Sequence, residues 1–174
     1  MVTAPEGDRP QARPGRGTVG SGKCVASLEA INIAARALSI QLQPIEVRSA
    51  NRLEEAFEAA TKGRAQAVVV LSAPAFSNDS PRLAHVALTS RLPTITPFKE
   101  FAVAGGILAY GPDEDSNYRR LASLVDKILR GGRPSDIPIE RPTRFNLVVN
   151  LKTARALGLT IPQSVLFRAD EIVQ

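Results

Sequence analysis

The sequence has one cysteine, one histidine, one methionine, two tyrosines and no tryptophan among its 174 residues. The lone thiol, Cys24, cannot close an intramolecular disulfide, and with the single histidine, His85, it cannot build a zinc site of the usual Cys/His kind. A membrane-spanning helix takes about 20 apolar residues. The longest apolar run, Ala65 to Ala75, is already broken by Gln66, Ser72 and Pro74. No apolar h-region marks a secretory signal, and Cys24 follows Ser-Gly-Lys rather than a lipoprotein-type apolar segment. As written, the chain is expected to stay in the compartment where it is made. The motifs G-x-S-x-G and H-E-x-x-H are missing as well.

What is present has the make-up of a globular domain: 44% hydrophobic and 22% charged residues. The length fits one domain, or two small lobes. The net charge is +5, but residues 1–24 already hold four basic groups against two acidic ones, and the other basic residues are dispersed. Nucleic-acid binding wants a clustered basic face, so a solvated surface and no nucleic-acid partner are expected.

Residues 1–22 contain three Pro and five Gly with few apolar residues. They cannot bury enough surface to offset the entropy of ordering, so residues 1–24 read as a disordered leader. Gly17 to Lys23, followed by Cys24, matches the phosphate-binding loop G-x-x-x-x-G-K-[ST] in all but its last place. A thiol is a poor magnesium ligand, and no strand precedes the loop. A nucleotide-binding role for this segment is therefore the alternative reading, with no cofactor assigned.

From Val25 onward, helical and strand periodicities alternate. Val25 to Leu38 reads as a helix and Leu42 to Val47 as a strand. Asn51 is placed to cap a helix that carries Leu53, Ala56, Phe57 and Ala60 on one face and ends at Gly63. Ala67 to Leu71 has the pattern of a strand buried on both faces. Asp79 or Ser80 with Pro81 starts a helix ending near Arg91. Then come a strand Thr94 to Thr96, a helical turn Lys99 to Ala104, a strand Ile107 to Tyr110 and a helix Ser116 to Arg130. That last helix bears Leu121, Leu124, Val125, Ile128 and Leu129 in one stripe. After a Pro-rich connector follow a strand Asn146 to Val149, a helix Lys152 to Leu157 and a mixed segment Ser164 to Val173. Such alternation means an α/β fold with a mainly parallel sheet.

The residues give little support to catalysis. His85 sits mid-helix with no metal-ligand spacing, Glu54 and Glu55 suit a helix N-terminus, and Asp113, Glu114 and Asp115 precede a helix as capping groups do. No catalytic or metal-ligating residue is assigned. Binding fares better, because ligands of open α/β sheets sit beyond the carboxyl ends of the strands. Three loops fall there: Ser72 to Asn78, Pro97 to Phe101 and Gly111 to Asp113. Phe76 and Phe98 are placed to stack on a ring, or equally to fill the core, while Ser72, Ser77 and Asn78 can hydrogen-bond a carboxylate or amide.

Arg91-Leu-Pro-Thr-Ile-Thr-Pro-Phe-Lys-Glu-Phe101, Ala104-Gly-Gly-Ile-Leu-Ala-Tyr-Gly-Pro112, Val125-Asp-Lys-Ile-Leu-Arg-Gly131, the block from Pro142 to Pro162 and Arg168-Ala-Asp-Glu171 resemble the C-terminal part of ABC transporter substrate-binding proteins of the tryptophan/tyrosine type. The resemblance runs from about Val25 to the end. It implies a type I periplasmic-binding fold in which two Rossmann-like lobes close on a solute by a hinge. This chain corresponds to the second lobe, a mainly parallel sheet with helices on both faces. The family delivers small solutes to a membrane permease, performs no chemistry and works in the bacterial periplasm. By resemblance Ser72, Phe76, Ser77, Asn78, Phe98, Tyr110, Asp113 and Tyr118 are the ligand-binding residues.

Relative to that family, the signal peptide, the first lobe and the first strand of the second lobe are absent from this sequence. A truncated member is therefore expected. Residues 25–104 and 145–174 would make the lobe, and 105–144 would cross to the absent one, leaving the Ser116 to Arg130 stripe exposed. Self-association through that surface is a third expectation.

Overall fold

The computed structural model describes residues 2–5, 22–47 and 49–174. Its strands are β1 (Val2–Pro5), β2 (Gln43–Pro44), β3 (Ala65–Val69), β4 (Thr94–Thr96), β5 (Leu108–Pro112), β6 (Phe145–Asn150) and β7 (Glu171–Val173). The helices are α1 (Gly22–Ala37), α2 (Leu53–Lys62), α3 (Pro74–Ser77), α4 (Ser80–Thr89), α5 (Lys99–Val103), α6 (Glu114–Leu129), α7 (Leu151–Ala156) and α8 (Gln163–Leu166). All seven strands join one sheet in the order β2-β1-β3-β4-β5-β6-β7. The α/β class holds. The sheet is parallel through β3, β4 and β5, and again between β6 and β7. β6 runs antiparallel to β5, and β1 runs antiparallel to both β2 and β3.

The core follows from the periodicity. Leu53, Ala56, Phe57 and Ala60 recur at helical spacing and are the buried residues of α2. They meet Val68 and Val70 at β3 and Leu83, Ala84, Val86 and Ala87 of α4 in one cluster, closed by Phe76, Leu92 and Phe101. A smaller cluster joins Ala102 of α5 to Ala109 of β5 and Val148 of β6.

The structure corrects several expectations. Val2–Pro5, inside the expected disordered leader, is a strand laid against β3, with Val2 opposite Val69 and Thr3 opposite Val68. It satisfies a sheet edge that would otherwise present unpaired backbone groups. Residues 6–21 lie outside the described residues. The strand expected at Leu42 to Val47 shortens to Gln43–Pro44, since proline has no N–H for a ladder. Asn51 does not cap α2. The chain enters through a 3-10 turn, Ala50–Arg52, and no side chain caps the first turn. The Asn51 side-chain oxygen instead accepts from Arg82, 3.5 Å away, whose guanidinium also grips Glu54 at 2.8 Å. The β3 strand is deeply buried only at Val68, with Val70 following; Ala67 and Val69 are half-buried. Finally, the segment 105–144 does not leave the lobe as a whole, because Leu108–Pro112 is an inner strand of the sheet.

None of the sixteen residues of α6 is buried; Tyr118, Leu121, Val125, Ile128 and Leu129 are exposed along it, while Leu124 is half-buried.

Candidate functional site

Because β3, β4 and β5 are parallel, their carboxyl ends share one edge, and antiparallel β6 begins there. A cavity of about 270 Å³ opens at that edge. Its floor is Ala109 and Gly111 of β5 with Asn146 of β6, and its walls come from Pro97, Lys99 and Glu100 on one side and from Pro112 to Asp115 on the other. This is where open α/β sheets bind ligands.

Two local devices shape it. Thr96, buried at the end of β4, accepts from the Phe98 N–H at 3.1 Å, and its hydroxyl lies 3.2 Å from the Phe98 carbonyl oxygen. That fixes the turn over Pro97. Gly111 is required for space: a Cβ there would lie 1.9 Å from the Pro97 carbonyl oxygen. β4 and β5 approach closely just below the cavity for lack of a side chain.

Asp113 stands at the rim as the N-cap of α6. Its carboxylate accepts from the Ser116 N–H at 3.2 Å and from the Ser116 hydroxyl at 3.0 Å. These bonds, with Arg144 at 3.7 Å, hold its carboxyl below the usual carboxylate range. Its own N–H donates to the Arg144 carbonyl oxygen at 3.0 Å. Lys99 is drawn to Glu171 of β7, 2.6 Å away, which raises its pKa. Glu100, Glu114 and Asp115 are exposed. The lining offers carboxylates, one ammonium group and one amide, but no hydroxyl, thiol or imidazole side chain. It is equipped to hold a polar molecule by charge and hydrogen bonds. Among the described residues no group of three His, Cys, Asp or Glu side chains is arranged to hold a metal ion.

Of the eight sequence-derived residues, Asp113 alone lines this cavity. Phe76 takes the core alternative: it is 5% exposed within the main hydrophobic cluster, rolled inward by the turn of α3. Phe98 is half-buried against the same cluster at the mouth of the β4 loop. Tyr110 falls between Ala109 and Gly111, so strand alternation turns it to the opposite face of the sheet. There it is 50% exposed and stacks on Phe145, with ring centroids 5.7 Å apart. Ser72 and Asn78 are exposed in the loop after β3, on the same edge as the cavity, and half-buried Ser77 accepts the Ser80 hydroxyl at its carbonyl. Tyr118 is 66% exposed on α6. Sequence reasoning placed Lys99 and Glu100 in one of the candidate loops without naming them as ligand-binding residues, and it missed Asn146. The signal for the first two was their position directly after the β4 carboxyl end. For Asn146 it was a polar side chain opening the otherwise apolar run Asn146 to Val149.

A second cavity, of about 420 Å³, lies between α6 and the returning segment Glu140 to Arg144. Arg120 bridges it, donating through Nε to Glu140 at 2.6 Å and through a terminal nitrogen to the other carboxylate oxygen.

The family model for ABC transporter substrate binding protein matches residues 20–173. The chain belongs to that family. Three solved structures carry the same fold. A conserved domain protein from Vibrio cholerae superposes with a TM-score of 0.80 at 22% identity, over 88% of this chain and 51% of that one. An ABC domain in complex with L-Trp from Streptococcus pneumonia gives 0.79 at 21%, over 86% and 50%. A ligand-free, open substrate binding protein with adhesive properties from Clostridium difficile gives 0.62 at 15%, over 89% and 52%. This ABC substrate-binding chain therefore spans about half the length of each of these three solved structures. No curated protein sequence matches it. Gly17 to Ser21, the heart of the nucleotide-loop alternative, lies outside the described residues. No helix among the described residues is long and apolar enough to cross a membrane.

Proposed function

We propose that this chain forms one wall of the solute-binding cleft of an ABC importer and performs no chemistry. The solute is a small aromatic amino acid or a close analogue. The observation that carries this is the cavity at the carboxyl ends of β4 and β5, in a chain of a substrate-binding family. The L-Trp complex of the Streptococcus pneumonia relative supports the choice of solute class. Residues 25–112 and 145–174 make the lobe, and the residues after Pro112 reach toward an opposing wall. Ser72, Ser77, Asn78 and Phe98 flank the cleft, and Asp113 meets the solute's polar end. The partner is the membrane permease of the same importer, which the protein meets on the periplasmic side.

Thermal unfolding in the presence of L-tryptophan, L-tyrosine, L-phenylalanine and indole-3-acetate tests this, with L-lysine and glucose as controls. A solute present at 100 times its Kd stabilises by about 2.7 kcal/mol. For a chain of this size that raises Tm by roughly 5–10 °C. A flat response to every aromatic solute removes the ligand assignment and leaves the fold untouched.

The exposed stripe of α6 favours a second reading, self-association. Each such side chain gains roughly 1.5–3 kcal/mol on full burial. Light scattering is expected to show a concentration-dependent dimer that the double variant Leu121→Glu, Val125→Glu returns to monomer. A wild-type monomer across the concentration range counts against it.

A further inference from the structure

We infer that the slot between β2 and β3 is a strand-acceptor site that β1 occupies detachably, and that the ligand class it takes in place of β1 is an extended peptide running antiparallel to both neighbours.

The backbone defines the slot. In β3 and just after it, the N–H groups of Val68 and Val70 donate toward β4, to the Pro93 and Ile95 carbonyl oxygens at 2.8 and 2.9 Å. Successive N–H groups of a strand point to opposite edges, so those of Ala67 and Val69 face the slot, together with their carbonyl groups. Val2 lies opposite Val69 and Ala4 opposite Ala67. These are the rungs in which both residues exchange hydrogen bonds with β3. Thr3, opposite Val68, turns its N–H and carbonyl the other way, to β2, where it faces Gln43. An extended peptide with N–H groups at the same positions makes the same bonds. Main-chain hydrogen bonds supply the affinity in strand addition of this kind.

β1 is the lightly held member of this sheet. Its ladder is four residues long, and the register breaks between Ala4 and Pro5. Pro5 and Pro44 bring no N–H to it, and β2 offers only two residues on the other side. Residues 6–21 separate Pro5 from α1, so no tight turn ties β1 to a neighbour. Its partners lie far along the chain, and the entropy of closing so long a loop opposes the pairing. β3 is held differently. Val68 and Val70 are anchored with α2 and α4 in the main hydrophobic cluster, so β3 stays in place when β1 leaves. The slot therefore opens by local detachment, at less cost than unfolding the lobe. Once open, it presents a row of unpaired backbone groups, the template to which an extended chain adds.

Hydrogen exchange on the full chain tests the detachment. The Ala67 and Val69 amides are expected to exchange about tenfold or more faster than the Val68 and Val70 amides beside them, since only the first pair is uncovered by local opening. A fluorescein-labelled peptide of residues 1–8, Met-Val-Thr-Ala-Pro-Glu-Gly-Asp, tests the site by fluorescence anisotropy. If β1 is detached about 1–10% of the time, an external strand is weakened by the reciprocal, roughly 10–100-fold. Ala4→Pro in the chain removes the N–H that faces Ala67 and is expected to raise probe affinity by that factor. The same proline placed in the probe is expected to abolish its binding. Equal exchange rates at the four amides overturn the detachable strand. A folded Ala4→Pro chain that ignores the probe, or that takes the proline probe equally well, overturns the acceptor site. Should Ala4→Pro fail to fold, the wild-type chain is titrated instead. It is expected to bind the probe weakly and to release it to unlabelled probe but not to the proline peptide. No binding up to millimolar probe overturns the site.

Discussion

Gly111→Ala is expected to lower stability by about 3 kcal/mol, at the upper end of overpacking costs, and to abolish solute binding. The added methyl would sit 1.9 Å from the Pro97 carbonyl oxygen and 2.8 Å from its carbon. Both are backbone atoms of the neighbouring strand end, so no side chain can rotate aside. Relief requires β4 and β5 to part beyond the Thr96–Ala109 rung, the last of their short ladder. That movement would carry Pro97 and the Thr96 hydroxyl with it, and with them the turn that presents Lys99 and Glu100 to the cavity. At roughly 2–4 °C per kcal/mol for a chain of this size, a Tm lowered by some 6–12 °C should be visible in a thermal melt. Gly131→Ala is the useful contrast. It places a side chain at φ 96° just after α6, where nothing lies within 4 Å, so its cost is local strain and the solute site should be spared. A Gly111→Ala protein that melts with the wild type and binds solute equally would mean that the β4–β5 approach is looser than these distances state.

The contrast between these two glycines shows what the sequence could and could not reveal. Periodicity placed the buried face of α2 residue for residue, gave β4 its bounds and marked the exposed stripe of α6, because those features depend on spacing along one element. The close approach at Gly111 depends on where β4 ends relative to β5, and nothing local to either strand encodes it. The same holds for Asn51, which reads as a cap until Arg82, 31 residues away in sequence, takes its oxygen. Phe76 satisfied the pattern of a cleft aromatic and that of a core aromatic alike, and the turn of α3 decided between them. Glu114 and Asp115 looked like ordinary charges of a helix start. They also line the cavity because β5 delivers that helix start to its rim, so one local role concealed another.

A second large effect is expected at Asn150, 3% exposed where β6 passes into α7. Its side-chain oxygen accepts from the Thr153 N–H at 2.9 Å and so caps α7, while its amide nitrogen donates to the Ala102 carbonyl of α5 at 2.9 Å. Thr153 adds a bond from its hydroxyl to the Gly105 carbonyl at 2.8 Å. Three hydrogen bonds thus tie α5, the turn after it, and the β6–α7 junction, and no buried side-chain polar atom among the described residues is left without a partner. Asn150→Leu removes the cap on the Thr153 N–H, worth about 1 kcal/mol, and takes the amide donor away from the Ala102 carbonyl in a buried site at a further cost of about 1–3 kcal/mol. A loss of roughly 2–4 kcal/mol should follow, nearly independent of pH. Asn150→Asp separates the two halves of the role. The carboxylate can still cap α7, and that one N–H bond favours the charged form, but near-complete burial and the facing Ala102 carbonyl oppose it and are expected to raise the folded-state pKa above the unfolded value. The folded protein then binds more protons than the unfolded one between those two values, so the Asp variant gains stability as pH falls through its raised pKa. Once protonated, it can also donate to Ala102. Denaturant melts at several pH values would show the Asp and Leu curves converging at high pH and parting in acid. Parallel curves would mean that the bond to Ala102 contributes little and that the cap alone secures the junction.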